Sequence, residues 1–507
     1  MSSVPEARTP RGALAIGRVR RAIWPALAVT AAVLASWSIL GHFFFADDFG
    51  DFFALANFGP RTFITTPAAG HMYVLRNSLT SLLFLVFRME ATPYHALALA
   101  THVANVVLLF AVAHRLTASA PLACFAAVLF AIAPTNGFTL GWHAASGHAL
   151  AATFVLVALL LLVDEDDRRP VGIPRAVAIT ACGLAASQSF GTGTAVALVL
   201  PVVAMPLRPG LMHRWLPTLI VWSTPLLVAL AARVLFTAPP GVNLGASNPR
   251  LIARLATDWA HIVPMLRHLA SVGALTLGLG TLYPLDDYPG RLSAAVMVAA
   301  ALAVVAALVL GTPRDRRRIA ALLLVPAVSY GAIAAGRAAM IAAFNPGNQV
   351  STIVRAGRYY YLGQAGLALL VAALIAQALR ADRLVPAGRI VLAGWIACVV
   401  ASRWLWPPSL EDYRQLRDGV GAWRERIAGA VRQAPPDGVA CVPNGAFPLA
   451  SGFPGALGVY ILYNRDDQFE GRRVFFTSSD PKELALRVPD SRVGSLLLPT
   501  ERCVQTR

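Results

Sequence analysis

Asp47 and Asp48 stand in the stretch GHFFFADDFGDFF, Gly41 to Phe53, with three phenylalanines before them and Phe49, Phe52 and Phe53 after. So many rings around a carboxylate hold it near lipid and away from water, and a partly desolvated carboxylate is a candidate general base. The plainer reading is that both are the first solvated residues beyond an apolar run, with Asp51 a third of the same kind. A second group is Arg355 and Arg358, followed by Tyr359, Tyr360 and Tyr361. Guanidinium is the natural partner of a phosphate because its planar fork makes paired, charge-assisted hydrogen bonds. Arg76, three residues after Tyr73, is a further cation of this kind. His95 and His102 are seven residues apart and share a helix face with Asn105 beside them, as substrate ligands or as polar helix packing. That face carries no carboxylate, so it does not read as a metal site. Trp142, His143 and His148 form a weaker group, as do Asp286, Asp287 and Tyr288. The DEDD run, Asp164 to Asp167, reads as a solvated turn, and no phosphate loop, dinucleotide fingerprint, zinc spacing or nucleophile elbow appears in a credible context.

These groups must be positioned by membrane helices. The 507-residue chain is 57% hydrophobic and 14% charged, with a mean hydropathy of +0.60, and its apolar residues fall in runs of about 20. The net charge of +17 sits in short arginine clusters between those runs, which reads as topology and gives no nucleic-acid-binding face. Spans are predicted at 23–44, 95–114, 119–134, 144–163, 173–190, 192–207, 215–237, 291–311, 319–341, 359–380 and 387–405, about eleven helices. With the N-terminus inside, the clusters at Arg18/Arg20/Arg21, Arg115, Arg168/Arg169/Arg175, Arg208/Arg214, Arg314 to Arg318 and Arg380/Arg383/Arg389 all fall on the inner side. The expected protein is an all-α, multi-pass integral membrane protein of a plasma or bacterial inner membrane. Residues 1–22 form a cytoplasmic segment, 23–406 the membrane domain and 407–507 a small α+β domain outside, with strand-like pieces GVYILY and RRVFFT. The apolar run after Arg21 is longer than a signal peptide's and reads as an uncleaved first span. The stretches Asn77 to Met89 and Leu251 to Leu282 are amphipathic and are expected to lie in the outer interface. Cys124, Cys182 and Cys398 fall in apolar runs, and only Cys441 and Cys503 are placed to pair, in an oxidising compartment.

Four stretches in order carry a resemblance. ADDF at Ala46 to Phe49, PYHALALATHVANVVLLFAVAHRL at Pro93 to Leu116, AAVLFAIAPTNGFTLGW at Ala126 to Trp142 and GRYYYLGQAGLALL at Gly357 to Leu370 resemble the motifs of GT-C fold glycosyltransferases. The likeness is to the membrane O-mannosyltransferases that carry tetratricopeptide repeats and to their bacterial relatives. The chain departs from that pattern in several places. Ala133, Asn136 and Phe138 stand where that family has HPxHxE, Ser187-Gln188-Ser189 where it has SKE, and Asn77 where a proline follows the arginine; no tetratricopeptide array follows.

The resemblance implies transfer of a sugar from a polyprenyl-phosphate donor to an acceptor hydroxyl on the outer side of the membrane, the acceptor being a protein, glycan or lipid. Asp47 or Asp48 would take the acceptor's proton. Arg358, with Tyr359, Arg355 and Arg76, would cradle the lipid phosphate, and His95, His102, Asn105, Trp142 and His143 would line the substrate site. No cofactor is implied with certainty; a divalent metal is left open, with Asp286 or Asp287 as its carboxylates. Two readings of other classes stand beside this one. One is a transporter or flippase of a lipid-linked or anionic substrate, which calls for midplane charges or broken helices. The other is a catalytically inactive relative acting as a binding partner.

Overall fold

In the computed structural model the described residues are 11–44, 47–67, 71–88, 90–164, 166–236, 259–279, 291–344 and 357–380, with a few isolated positions and three short strands beyond them. They form helices α1 (Arg11–Ser36), α2 (Asp47–Thr65), α3 (Val74–Phe87), α4 (Ala91–Thr117), α5 (Ala120–Ala131), α6 (Asn136–Leu140), α7 (Gly147–Leu162), α8 (Ile173–Ser187) and α9 (Gly191–Leu207). After these come α10 (Trp215–Trp222), α11 (Thr224–Phe236), α12 (Trp259–Leu279), α13 (Arg291–Leu310), α14 (Pro313–Phe344) and α15 (Tyr361–Arg380). Six helical segments, Ala22–Gly41, Ala91–Thr117, His143–Leu162, Trp215–Leu235, Pro313–Arg337 and Gly357–Arg380, are long and apolar enough to cross a membrane. The expected spans at 119–134, 173–190 and 192–207 appear as shorter apolar helices, and that at 291–311 as α13. The expected span 387–405, the GVYILY stretch and Cys503 lie outside the described residues. Strands β1 (Val439–Pro443), β2 (Arg473–Ser478) and β3 (Leu497–Pro499) pair in parallel in that order, with Val439 opposite Arg473 and Phe476 opposite Leu497.

The outward faces of the helices are apolar in the way lipid requires. On α13, Val298, Leu302, Val305 and Val309 are exposed at helical spacing, and helix α3 is polar inward and apolar outward. Arg76, Asn77, Thr80 and Ser81 are buried there, while Leu82, Leu85, Val86 and Phe87 are exposed. In water that pattern is inverted; against lipid it is the stable one, since polar side chains then need protein partners.

Inside, small residues bring the helices into contact. A side chain at Gly193 would overlap the Ala186 backbone of α8. At Gly363 and Gly366 it would overlap Tyr330 and Pro326 of α14. Helix α12 packs into this layer as well: Met265, Leu269 and Val272 are buried with Tyr330 and Ile333, and Gly273 sits under the Tyr330 ring. The described part of the stretch Leu251 to Leu282, residues 259–279, is thus packed against α14 on its apolar side. Helix α2 is broken at Gly59, whose φ of 82° and ψ of 164° only glycine adopts cheaply, followed by Pro60.

Between α14 and α15 the side chain of Gln364 is fully buried, and among the described residues neither its amide atoms nor Ser329 Oγ and Tyr330 Oη have a hydrogen-bond partner. An unpaired amide in a dry interior costs roughly 1–3 kcal/mol. Gln364→Met, close in shape and apolar, is expected to raise the melting temperature in detergent; a fall would mean that an ordered water serves the amide.

The DEDD turn is a solvated turn only in part: Asp166 is exposed, whereas Asp164 and Asp167 are held in ion pairs. Asp164 pairs with Arg175 at 3.0 Å and with the enclosed Arg208 at 2.7 Å, and Asp167 pairs with Arg317 at 3.1 Å. The carbonyls that end α7 are also taken by arginines. Arg115 donates to Leu160 O at 2.6 Å, Arg175 to Leu161 O at 2.6 Å, and Arg314 and Arg318 to Asp164 O at 3.2 and 3.1 Å. Cations at a helix C-terminus satisfy orphan carbonyls and oppose the dipole. Burial works against the charged form of Asp164, but hydrogen bonds and charge from Arg175 and Arg208 outweigh it and hold the carboxyl down at about 2. The arginine clusters of four separate segments thus meet at one end of the helix assembly.

Candidate functional site

The opposite end collects the residues of the resembling stretches. Asp48, one residue into α2, is fully enclosed, and its Oδ1 accepts a hydrogen bond from Ala144 N at 2.6 Å. Asp47 opens the same helix. Phe44 and Phe52 wall this corner: Phe52 lies edge-on to Phe44 at 4.5 Å and to Tyr94 at 5.5 Å, and parallel to His143 at 6.2 Å. The aromatic density read from the sequence is thus a packed wall beside the carboxylate.

Arg76 takes the carbonyl of the same residue. Its Nη1 donates to Ala144 O at 3.0 Å, Nε and Nη2 donate to Asn77 Oδ1 at 2.9 and 2.7 Å, and Nη2 lies 2.8 Å from Asp51 Oδ2. Its guanidinium also covers the Tyr73 ring at 4.3 Å. Asn77 in turn donates to Phe63 O at 2.6 Å, so the residue that replaces the family's proline anchors the arginine to α2. With four contacts to protein groups, Arg76 is a buried structural cation joining α2, α3 and the loop after α6. Its carboxylate is Asp51, which the sequence reading treated as a distraction.

Arg358 is held differently. It lies over Trp142 at 4.3 Å and over Tyr359 at 4.7 Å, and its Nη2 donates to Tyr359 Oη at 3.2 Å. Among the described residues no carboxylate pairs with it. Arg337, on α14, sits over the Tyr359 ring at 5.1 Å. The sequence reading missed Arg337, although an arginine within an apolar run is itself a signal because it is expensive there. Arg355 lies outside the described residues, as do Asp286, Asp287 and Tyr288.

The remaining candidates divide. His143 belongs to the site: its Nε2 is 2.9 Å from Thr80 Oγ1. His95 sits one layer back, its Nδ1 3.3 Å from Leu140 O and its ring edge-on to His42. His102 and Asn105 are elsewhere, deep between α4, α7 and α15. His102 Nδ1 is 2.7 Å from Tyr361 Oη, and Asn105 Nδ2 donates to Ala149 O at 2.9 Å and to Tyr361 Oη at 3.2 Å. That is polar helix packing. At the departures from the family pattern, Asn136 Nδ2 donates to Phe130 O at 2.6 Å and Gln188 O accepts from Leu75 N at 3.0 Å.

His71 and His148 were not singled out as a pair, yet they flank one ring. Phe190 lies 4.7 Å from His71 and 3.6 Å from His148 by ring centres, and Gly191 leaves the space that His71 fills. Burial, then the charges of Arg337 and Arg76, pull His71 down to about 3. It therefore stays neutral where an unfolded histidine, near 6.5, takes up a proton. The unfolded chain binds the extra proton between those values, so the stability this arrangement confers is complete above pH 6.5 and is lost as pH falls towards 3. His71→Gln is expected to flatten the acid side of a melting-temperature profile between pH 6.5 and 4; an unchanged slope would contradict it.

Among the described residues no three His, Cys, Asp or Glu side chains gather closely enough to hold a metal ion. A narrow cleft lined by Arg76, Tyr94, Thr101, His143 and Ser146 opens beside the site. No family model matches this chain, and neither does any curated protein or any solved structure.

Proposed function

We propose that this chain is a membrane glycosyltransferase of GT-C type that moves a sugar from a polyprenyl-phosphate donor to an acceptor hydroxyl, with the aromatic end of the helix assembly on the outer side. The observation that carries the reading is convergence. Asp48 takes the N–H and Arg76 the C=O of Ala144, and Arg358 lies on Trp142, so stretches spread over more than 300 residues meet at one place.

In this reading the acceptor oxygen attacks the anomeric carbon, its proton passes to a carboxylate, and the bond from that carbon to the phosphate oxygen breaks with its electron pair staying on the lipid phosphate. Asp48 is enclosed and already accepts Ala144 N–H, so it acts as a positioning residue that ties α2 to the loop before α7. The base is then Asp47, and Arg358, held on two aromatic faces, meets the charge that develops on the leaving phosphate. Arg76 fixes the scaffold and touches no substrate.

The test is transfer by purified protein in nanodiscs from a panel of polyprenyl-phosphate sugars. Asp47→Asn is expected to lower transfer by about 10²–10⁴-fold with an unchanged melting temperature. Asp48→Asn is expected to lower transfer and melting temperature together. Full activity in Asp47→Asn would remove the base assignment. No transfer from any donor by a well-folded sample would remove the enzyme reading in favour of a flippase or an inactive relative.

A further inference from the structure

The arginine-rich end holds more cations than its ion-pair hub uses. Arg115, Arg175, Arg208, Arg314, Arg316, Arg317, Arg318 and Arg380 are all bound to carboxylates or helix-end carbonyls. Arg168, Arg169 and Arg214 are different: each is exposed, and among the described residues no carboxylate pairs with any of their side chains. They are brought to one corner by two turns packed back to back. Gly210 N donates to Asp167 O at 2.9 Å and Arg208 Nη2 to Arg169 O at 3.1 Å. A side chain at Gly210 would overlap the Arg168 and Arg169 carbonyls. Asp166 is the exposed carboxylate of this corner, its Oδ1 accepting Arg168 N at 3.1 Å.

Directly beside the cations the surface turns apolar. Met212 is exposed, Trp215 is 76% exposed, and Leu219, Trp222, Leu226, Leu230 and Val234 continue an exposed stripe at helical spacing along α10 and α11. A cationic corner above a continuous apolar stripe matches one chemistry: an anionic head with long hydrocarbon chains below it. A soluble acidic protein or a nucleic acid would meet the arginines alone, whereas the stripe, part of the candidate span Trp215–Leu235, puts hydrocarbon and hence lipid headgroups directly beside them.

We propose that Arg168, Arg169 and Arg214, with Trp215 and the stripe below it, form a binding site for an anionic phospholipid of the leaflet at the arginine-rich end. The headgroup phosphate would lie among the guanidiniums, His213 beside them, and an acyl chain would follow Leu219, Trp222 and Leu226. The site is separate from the proposed donor site at the opposite end and does not depend on that reading.

The experiment is native mass spectrometry of the detergent-purified chain given phosphatidylglycerol or phosphatidylcholine with identical acyl chains. Wild-type protein is expected to retain phosphatidylglycerol at least about tenfold more than phosphatidylcholine. The R168Q/R169Q/R214Q variant is expected to retain both equally, with an unchanged melting temperature because those exposed side chains make no hydrogen bond or ion pair among the described residues. Trp215→Ala is expected to weaken retention of both lipids while keeping the headgroup preference. Equal retention of the two lipids by wild type, or a preference that survives in the triple variant, would overturn the proposal. Displacement of the lipid by millimolar glycerol phosphate would also overturn it, since the stripe would then contribute nothing.

Discussion

Replacing Arg76 by leucine is expected to unfold the corner between α2, α3 and the loop before α7 and to cost about 3–5 kcal/mol, as removal of one partner of a buried ion pair does. The side chain is only 4% exposed and lies 2.8 Å from Asp51 Oδ2, with Asn77 and Ala144 taking its other donors. Without it, the Asp51 carboxylate, Asn77 Oδ1 and Ala144 O lose a shared donor in a region that lipid surrounds. The contact between Arg76 and Asp51 is electrostatic more than a well-aligned hydrogen bond, so charge should account for most of the loss. A double-mutant cycle separates charge from packing: Asp51→Asn alone should be nearly as damaging, and Arg76→Leu with Asp51→Leu should recover a large part of the stability. If Arg76 were a substrate ligand, Arg76→Lys would leave the melting temperature unchanged and lower transfer alone. As a structural fork it should lower both, because lysine reproduces the charge but not the four directed contacts.

Arg358→Gln is expected to do the reverse. Its guanidinium lies on Trp142 and Tyr359 and meets no carboxylate of the described residues, so the fold loses a stacked cation worth about 1–2 kcal/mol and keeps its ion pairs. Transfer should fall by about 10²–10³-fold, the cost of removing one preorganised donor from a developing negative charge. The loss should appear in kcat more than in KM if the donor diester carries less charge than the departing phosphate. Equal kcat in wild type and variant, under conditions where Asp47→Asn is inactive, would take the phosphate role from Arg358. Arg337, which also lies over the Tyr359 ring, is then the residue to replace next.

The amino-acid sequence by itself determines that this chain has helices long and apolar enough to cross a membrane, and where the six found among the described residues lie. A run of about 20 apolar residues is its own signal, because a single segment can satisfy its own backbone in lipid only as a helix. Within one helix, sequence spacing also says which residues share a face, and His102 with Asn105 illustrates it: they do act together, on Tyr361 Oη. What spacing cannot say is which helices meet. Asp47, Asp48 and Asp51 are close to equivalent in the sequence. Only the packing of α2 against α3 and the loop before α7 gives Asp51 to Arg76 and Asp48 to Ala144 N. The acidic turn at Asp164 reads as solvent-exposed until the starts of α8 and α14 and the end of α9 arrive with Arg175, Arg314 and Arg208. His71 and Phe190 show the same limit, since 119 positions separate two rings that lie 4.7 Å apart. Burying a polar group is tolerable only when a partner satisfies it, and such partners come from anywhere along the chain. Helix identity is thus local and legible, whereas the pairing of charges is a property of the packed bundle.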